Sequence, residues 1–447
     1  MKTSISLLSK RRFLPLFIVQ FLGALNDNLF RTAMVLLIIY GIYQDPTAEA
    51  TLSAVAGGLF ILPFFLFSAF AGSLADSEDK ALLIRRIKTA EIVIMMTGAA
   101  GIYFQSVPLM LATLTATGVQ SSFFGPIKYA IIPQHLEKVE VLGGTGVVQA
   151  GTYVAILVGT LLGGALVVAN ATGALVARDA AIGVVLVATL GRIAAQFVPP
   201  APPAEGSTAK PQWNIVAASI RVTREVMAHR RIRLAIMAIS LFWALGAVLL
   251  AQFPPLVKNG LGADQRVATL FLALFSIGVA VGSVAVNRLL GGKVSARFAP
   301  WSALGMGISV IALFLLVRDW DTADELYDIA TFISLPGGAL VAGTLFLIAL
   351  MGGAFVVPLY AFVTTTVDKS ATARTIAVNN IINAGLMVAG SLILTLVVQA
   401  GLTVVDSLVL VAAATLVASW LGYRLVRETS GDEQAHEGEA ANEGYRE

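Results

Sequence analysis

Twelve long apolar stretches constrain the fold of this 447-residue chain more than any other feature. An α-helix needs about 20 mainly apolar residues to cross the roughly 30 Å hydrocarbon core of a bilayer. Six stretches precede a polar, Pro-rich segment at 199–212, and six follow it. They span 13–43, 51–75, 86–105, 108–133, 141–169, 178–199, 231–257, 264–290, 297–317, 338–366, 372–400 and 403–426. The pattern predicts an all-α membrane protein with twelve transmembrane helices.

Composition excludes several classes of protein. Apolar residues make up 57% of the chain and charged residues only 13%, about half of what a soluble domain carries. A secreted domain, a nucleic-acid binder and a disordered adaptor are therefore excluded. The chain has no cysteine and only three scattered histidines, so we expect neither a disulfide nor a metal site. It also lacks a Gly-x-x-x-x-Gly-Lys-Ser/Thr phosphate loop, so we do not expect an ATP-driven pump. We also expect no cofactor and no enzyme activity.

The distribution of charge predicts the orientation of the helices. The segment after the second stretch carries Lys80, Arg85, Arg86 and Lys88 and is interpreted as a cytoplasmic loop. The loop at 318–337 instead carries five acidic residues and one arginine. Because basic residues accumulate in cytoplasmic loops, we expect a multi-pass protein of the bacterial inner membrane with both termini in the cytoplasm.

The two halves of the chain contain similar short motifs in the same order. The pairs are Gly72-Ser-Leu-Ala with Gly282-Ser-Val-Ala, Gly125-Pro-Ile with Val357-Pro-Leu, and Thr145-Gly-Val-Val-Gln with Thr375-Ile-Ala-Val-Asn. Parallel six-helix repeats predict the major facilitator fold, with two pseudo-symmetric bundles and substrate near the membrane midplane. The predicted parts are an N-terminal bundle at 1–199, a cytoplasmic linker at 200–230, a C-terminal bundle at 231–427 and a disordered acidic tail at 428–447.

The segment that follows the second stretch contains a candidate gate. Its sequence from Gly72 to Lys80 resembles the Gly-x-Leu-x-Asp loop signature of the superfamily with that fold, although Ser77 replaces the usual arginine. Asp76 is predicted to contact a helix N-terminus or a neighbouring arginine and so to favour one state of the gate, with Lys80 as the basic residue. The alternative is an ordinary acidic loop in which Lys80 anchors the cytoplasmic side.

The first stretch is the most polar of the twelve. Asn26, Asp27, Asn28 and Arg31 lie within its apolar sequence. An ionisable residue at the centre of a bilayer costs about 2.5–3.5 kcal/mol, so it should face protein or water. Asp27 and Arg31 are four residues apart and share a helix face. They form either part of a polar cavity that binds substrate or an ion pair that only neutralises itself.

Two further candidates lie on the fourth and seventh helices. Lys128 comes late in the fourth helix, where it either binds substrate or extends to the cytoplasmic headgroups. Trp243 on the seventh helix either lines a cavity or faces lipid. Glu91, near the inner end of the third helix, is interpreted as structural.

The eleventh helix carries a patch of amides. Asn379 and Asn383 are four residues apart and share a face, and Asn380 lies beside them. Gln149 occupies the position of Asn379 in the other repeat. These amides are candidates for contacts with substrate, and the alternative is hydrogen bonding between helices.

Several of these segments together resemble one known family, the bacterial lysophospholipid transporters of the major facilitator superfamily. The resemblance covers the chain from about Phe13 to Arg427. It is carried by Gln20-Phe-Leu-Gly-Ala-Leu-Asn-Asp-Asn28, Gly125-Pro-Ile-Lys-Tyr129, Ser240-Leu-Phe-Trp243, Met351-Gly-Gly-Ala-Phe-Val-Val-Pro-Leu359 and Ile376-Ala-Val-Asn-Asn380. The first helix also looks like the transporter portion of fusions that carry an acyltransferase and an acyl-ACP synthetase, two domains that we do not expect in this chain.

The resemblance implies transport of lysophosphatidylethanolamine-like lipids from the outer to the inner leaflet, where they are reacylated. It makes Asp27 the first-helix acid of the headgroup site and Lys128 the fourth-helix lysine. Two positions depart from the family pattern, because Leu250 replaces an arginine and 383–385 replaces a glutamate. Arg31 is a candidate to supply the lost positive charge.

Partners and alternatives follow from the same resemblance. We expect a monomer that works with a separate cytoplasmic acyltransferase or acyl-ACP synthetase and binds no nucleic acid. The first alternative is a proton-coupled exporter of amphiphilic drugs or small solutes, with Asp27 as the proton carrier. The second is a membrane scaffold for an acyltransferase that does not transport.

Overall fold

The computed structural model describes residues 2–42, 46–169, 175–204, 214–320 and 326–443, which form sixteen α-helices in those ranges. The helices are α1 Lys2–Ile5, α2 Leu14–Leu36, α3 Pro46–Ser77, α4 Lys80–Tyr103, α5 Val107–Ala130, α6 Ile132–His135, α7 Lys138–Ala165, α8 Arg178–Ala195, α9 Ile215–Ala228, α10 Arg230–Pro255, α11 Gln265–Leu289, α12 Ala299–Val317, α13 Ile329–Ser334, α14 Gly338–Thr366, α15 Thr372–Gln399 and α16 Val404–Glu443. Short π-helical segments extend α2 and α10, and β1 Val168–Ala169 pairs antiparallel with β2 Leu175–Val176.

Twelve of these helices confirm the twelve predicted stretches. They are α2, α3, α4, α5, α7, α8, α10, α11, α12, α14, α15 and α16. Within the described ranges, nine of them are long and apolar enough to cross a membrane, judged by length and composition alone. The other three, α2, α4 and α8, carry charged side chains within their length. Of these three, α2 and α4 hold the polar groups considered below.

The basic segment after the second stretch is helix and not loop, which corrects the prediction. Only Glu78 and Asp79 separate α3 from α4, and the Asp79 carboxylate caps α4 by accepting from the Leu82 N–H at 3.0 Å. The same carboxylate accepts from the Ala201 N–H at 3.0 Å. The first of these contacts satisfies an amide that a helix start leaves unpaired. Lys88, which was predicted to lie in the loop, belongs to α4, and its side chain is fully buried.

The predicted cytoplasmic linker and the predicted disordered tail both include residues that are helical in the structure. The predicted linker includes α9, and α16 continues through the acidic tail as far as Glu443. Neither helix contains proline, and both are rich in residues with high helix propensity such as alanine. The acidic composition of the tail predicted disorder. A helix that begins in the apolar part of α16 nevertheless continues into the tail.

The chain divides into two compact units by its internal contacts. Unit 1 comprises Met1–Thr223, Ser283–Gly292 and Thr364–Gly385, so the end of α11 and the first half of α15 join the first six long helices. Unit 2 comprises Arg224–Gly282, Lys293–Val363 and Leu386–Glu447. The bundles at 1–199 and 231–427 stay a prediction, with boundaries that differ from those of the units.

Close helix packing in unit 1 depends on glycines of α7. A Cβ atom at Gly159 would clash with the Leu25 carbonyl oxygen of α2, and one at Gly163 would lie 2.7 Å from the Leu29 carbonyl oxygen. Small residues spaced four apart allow such close approach in membranes. These two close contacts hold the backbone of α2 against α7 on both sides of Asp27.

Gly159→Val is therefore expected to lower the yield of folded protein severely, because the backbone of α2 cannot move away cheaply. Gly164→Val is the matched control, since a Cβ there meets only the Leu36 side chain at 3.8 Å. Yield of monodisperse protein and its melting temperature measure both effects. Equal yields of the two variants would contradict this packing.

Unit 2 has an aromatic core of its own. Phe253 of α10 packs against Phe271 and Phe275 of α11, and Phe271 packs against Phe332 of α13, with ring centroids 5.8–6.0 Å apart. Such edge-to-face contacts stabilise a core beyond the area that they bury.

Candidate functional site

Asp27 lies on α2 and its carboxylate faces α5. Oδ2 accepts a hydrogen bond from the Ser121 hydroxyl at 3.0 Å. Oδ1 is buried and has no hydrogen-bond partner among the described residues. An unpaired buried carboxylate oxygen is costly, so this atom can accept from a ligand.

The Ser121 hydroxyl connects Asp27 to a buried polar network. Its oxygen also lies 3.3 Å from Gln120 Oε1, and Gln120 Nε2 donates to Glu91 Oε2 at 3.1 Å. Glu91 in turn pairs with Lys88 at 2.5 Å, and the two side chains are 2% and 0% exposed. The network therefore joins α2, α4 and α5 inside unit 1.

Glu91 has a second contact from α2. Asn26, which is fully buried, donates from Nδ2 to Glu91 Oε1 at 3.5 Å. Glu91 thus accepts from two neutral amides as well as from Lys88. In the described part of the chain, no three His, Asp or Glu side chains come together as a metal ion would require.

Sequence reasoning missed this network. Lys88 was predicted to be a loop residue, and Glu91 was interpreted as structural without a partner. The available signal was their spacing, because oppositely charged residues three apart on a helix can pair. Gln120 and Ser121 in the fourth stretch were a second signal, since both are polar in an apolar sequence.

Asn28 and Arg31, the other polar residues of α2, do not contact Asp27 directly. Asn28 donates to the Ala24 carbonyl of its own helix at 2.8 Å. Arg31 is exposed, and among the described residues no ion pair joins it to Asp27. Asp27 and Arg31, both of them described residues, therefore do not form the self-neutralising ion pair considered as an alternative.

Lys128 lies on the same face of α5 as Ser121. Its ammonium nitrogen is 4.9 Å from the centroid of the Tyr129 ring, a cation–π contact. An ammonium of α5 thus lies on the helix face from which Ser121 donates to the Asp27 carboxylate of α2.

Gln149 lies in the core of unit 1. Its Oε1 accepts from the Tyr129 hydroxyl at 2.6 Å. Its Nε2 is buried and has no partner among the described residues. Gln149 is therefore next to the aromatic ring that Lys128 covers.

The three asparagines of α15 lie in unit 1. Asn379 and Asn383 are buried, and Asn380 is half-buried. A Cβ at Gly125 of α5 would lie 2.7 Å from Asn380 Nδ2. Ser121, Gly125 and Lys128 follow helical spacing, so Asn380 meets the face of α5 that also carries the contact with Asp27.

Trp243 belongs to unit 2. Its indole N–H donates to the Tyr360 hydroxyl at 2.9 Å, and its ring contacts Phe242 edge-to-face at 5.8 Å. The side chain is half-buried. This environment fixes the orientation of the indole on α10.

Asp76 binds the N-terminus of α15. Its carboxylate oxygens accept from the Ala373 and Arg374 N–H groups, each at 3.0 Å, and Arg374 Nε lies 3.9 Å away. A carboxylate at this end of a helix also interacts favourably with the helix dipole. The Lys80 side chain is buried, and its ammonium has no hydrogen-bond partner in the described ranges. The contact predicted for Asp76 is thus made without Lys80.

Comparison with known proteins agrees with this architecture. The Major Facilitator Superfamily matches residues 16–391. The human organic anion transporter MFSD10 (TETRAN) superimposes with a TM-score of 0.74 at 14% identity, covering 92% of this chain and 99% of that one. The Escherichia coli fucose:proton symporter FucP gives 0.69 at 11% identity, covering 92% and 98%. These two likenesses concern the fold alone.

Relatives similar in sequence carry a more specific name. The lysophospholipid transporter LplT of Escherichia coli O1:K1 is 29% identical over 371 residues, 81% of this chain and 83% of the relative. The protein of the same name from Shigella sonnei has the same identity and coverage. With twelve long helices in the predicted places and a superfamily match over most of its length, this chain is a multi-pass membrane protein of the Major Facilitator Superfamily.

Proposed function

We propose that this chain is a lysophospholipid transporter, a flippase that moves lysophosphatidylethanolamine-like lipids across the inner membrane by alternating access. The observation that carries the proposal is the Asp27 carboxylate inside an apolar helix, one oxygen of which is buried and has no partner among the residues that the structure describes. An ammonium group is a matching donor, and a charge-assisted hydrogen bond is the strong kind. The name of the relatives at 29% identity supports this lipid class.

In this proposal the two charges of the headgroup bind to different helices. Asp27 on α2 binds the amine, and Lys128 on α5 binds the phosphate. Arg31, exposed one turn after Asp27, is the second candidate for the phosphate. The remaining predicted contacts are Asn28, Gln149, Asn379, Asn380, Asn383 and Trp243.

The single acyl chain stays in contact with apolar surface throughout. Burial of a lipid chain contributes about 0.8 kcal/mol per CH2 group, so entry from the bilayer is preferred over a fully aqueous path. Phe67 and Phe70 of α3 form an aromatic patch with Phe123 of α5, with centroids 6.0–6.3 Å apart. All three rings are half-buried in unit 1, and we assign the acyl chain to this patch.

We propose inward movement, from the outer to the inner leaflet, to supply a separate cytoplasmic acyltransferase or acyl-ACP synthetase. The test is uptake of labelled lysophosphatidylethanolamine into proteoliposomes, scored as the fraction that albumin cannot extract. Protein-containing vesicles should protect the lipid faster than protein-free vesicles. Equal rates would refute the proposed function.

The proton-coupled exporter remains the second candidate, because Asp27 would also serve as a proton carrier. The hydrogen-bonded connection from Asp27 to Glu91 is the observation that favours it. A proton carrier makes transport depend on an imposed proton gradient, whereas lipid movement down its own gradient does not.

Asp76 is proposed as the gate residue, with Lys80 as a neighbouring buried cation. Asp76→Ala leaves the Ala373 and Arg374 amides without their acceptor, so we expect faster hydrogen exchange at the start of α15 and transport slower by about tenfold. The control is Asp368→Ala, an exposed acid just before α15. Unchanged exchange at 373–374 in Asp76→Ala would contradict the latch.

A further inference from the structure

Residues 4–12 have no role in the site as described so far. This segment, which we call the strap, runs from the end of α1 to just before α2, and α1 packs on α7. Within the strap, Ser4 is 1% exposed and Leu7 is 2% exposed. A buried hydroxyl normally has a hydrogen-bond partner, so the position of Ser4 indicates a specific attachment.

Ion pairs attach one end of the strap to α7. The Lys10 ammonium pairs with the Glu140 carboxylate. The Arg12 guanidinium contacts Glu140 at 2.6 Å and Glu137 at 3.4 Å. The Glu140 side chain is largely buried, so these charges are screened less than a fully exposed pair. The strap is therefore held by charge to the first turn of α7.

The other end of the strap contacts α11. Ser4 Oγ accepts a hydrogen bond from Asn287 Nδ2 at 2.7 Å, and Asn287 is buried near the end of α11. A Cβ atom at Gly143 of α7 would lie 3.2 Å from each of these two atoms. The Ser4 hydroxyl thus lies where the end of α11 meets α7, and all three residues belong to unit 1.

The internal repeat relates this contact to the one that Asp76 makes with α15. The motif that begins at Gly72 matches the motif that begins at Gly282, so Asp76 corresponds to Val286. A valine side chain cannot accept a hydrogen bond, and α11 therefore has no acid to bind the backbone of another helix as Asp76 does. Asn287, the next residue, is the polar group at this place.

The helix on the other side of the contact corresponds as well. The third pair of repeated motifs makes Gly143 of α7 the counterpart of Ala373 of α15. Asp76 accepts from the Ala373 N–H at 3.0 Å. At Gly143 the polar contact is instead the one between Asn287 and Ser4. The strap thus supplies in one repeat the partner that a helix backbone supplies in the other.

The contact through the strap is the weaker of the two. Asp76 accepts from two backbone N–H groups. Asn287 donates one hydrogen bond to a neutral hydroxyl, and its Oδ1 is buried without a partner among the described residues. An unpaired buried acceptor is costly, and separation of α11 from the strap lets water reach it. The ion pairs to Glu140 still hold the strap on α7 when this bond breaks.

We propose that the strap is a second latch, which is carried by α7 and holds the end of α11, and that transport requires Ser4 and Asn287 to separate. Alternating access moves one repeat against the other, and this hydrogen bond joins a helix of the second repeat to the strap on α7 of the first. The requirement for transport rests on the proposed function, whereas the latch itself is a property of unit 1.

Hydrogen exchange tests the latch without any substrate. Ser4→Ala removes the acceptor of Asn287 and is expected to speed amide exchange at 284–291 about fivefold, the effect of one neutral hydrogen bond. Exchange at the start of α15 should stay unchanged. Ser9→Ala is the matched control, because that hydroxyl donates to a carbonyl within the strap. Equal exchange at 284–291 in Ser4→Ala and the parent would overturn the proposal.

Crosslinking tests whether the hydrogen bond must break. The chain has no cysteine, so Ser4→Cys combined with Asn287→Cys can be joined by a short thiol-specific crosslinker. Joining is expected to slow uptake of labelled lysophosphatidylethanolamine at least tenfold relative to the same protein before joining. The control is Arg12→Cys with Glu137→Cys, where the same crosslinker ties the strap only to α7 and should leave the rate nearly unchanged.

The outcomes separate the strap from the proposed function. If the parent moves the lipid and joining positions 4 and 287 does not slow uptake, the strap does not have to release, and this inference is wrong while the function stands. If the parent moves no lipid, the proposed function is wrong, and exchange at 284–291 alone decides whether the strap is a latch.

Discussion

Replacing Asp27 by alanine is expected to slow uptake of labelled lysophosphatidylethanolamine by about a hundredfold, the effect of removing one partner of a desolvated charge pair. Asp27→Asn should be almost as slow, because an amide keeps the size of the side chain but not the charge that an ammonium needs. The melting temperature should change little, since the carboxylate makes one hydrogen bond to Ser121. Uptake in proteoliposomes with matched protein content is the measurement.

The control for this prediction is Asp264→Asn. Asp264 is an acid of unit 2 that directly precedes α11 and accepts from the Arg266 and Val267 N–H groups of its first turn. Its replacement removes the same charge from a different place and should leave uptake nearly unchanged. Wild-type uptake by Asp27→Ala would show that the headgroup binds elsewhere.

Lys88→Met is expected to produce the largest loss of stability, about 3–5 kcal/mol, because it leaves the Glu91 carboxylate buried without its cation. The Asn26 and Gln120 side-chain amides donate hydrogen bonds to Glu91, but these neutral donors cannot replace the positive charge of Lys88. Thermal unfolding in detergent, followed by loss of monodisperse protein, measures the effect.

The chain contains its own control for this experiment. Lys80 is also buried and also on α4, but its ammonium has no hydrogen-bond partner among the described residues. Lys80→Met should therefore keep or raise the melting temperature. The double variant Lys88→Met with Glu91→Met removes both charges and should recover most of the stability, as paired replacements of buried ions commonly do. A Lys88→Met protein as stable as the parent would contradict the buried pair.

The helices were predictable because the bilayer fixes their length and composition. All twelve apolar stretches became long helices, and the polar α2 was recognised because Asp27 interrupts an apolar sequence. The ends were harder. The start of α4 at Lys80 depends on the Asp79 cap and on the bond from the Lys80 N–H to the Ala201 carbonyl, a contact between distant parts of the chain.

The candidate site was only partly predictable for a related reason. Asp27 and Lys128 stand out as isolated charges in apolar sequence, whereas Lys88 has basic neighbours and was assigned with them to a loop. Whether a lysine near the end of a helix reaches the headgroups or turns inward depends on the neighbouring helix. Here Gly23 of α2 leaves room for its ammonium, and no local pattern in the sequence of α4 reveals that.

One departure from the family pattern concerns a positive charge near the candidate site. The family resemblance places Leu250 of α10 where members carry an arginine, and Arg31 is the candidate to supply that charge. Arg31 is exposed on α2 and unpaired with Asp27 among the described residues. We propose that the Arg31 guanidinium binds the phosphate, which such a group can do through two parallel hydrogen bonds.

Uptake of labelled lysophosphatidylethanolamine in proteoliposomes, with and without an imposed proton gradient, tests the account most directly. We predict protein-dependent movement at the same rate in both conditions, and loss of that movement in Asp27→Ala. Movement that requires the gradient would contradict gradient-independent flipping and favour the proton-coupled exporter. No movement in either condition would exclude this lipid as the substrate.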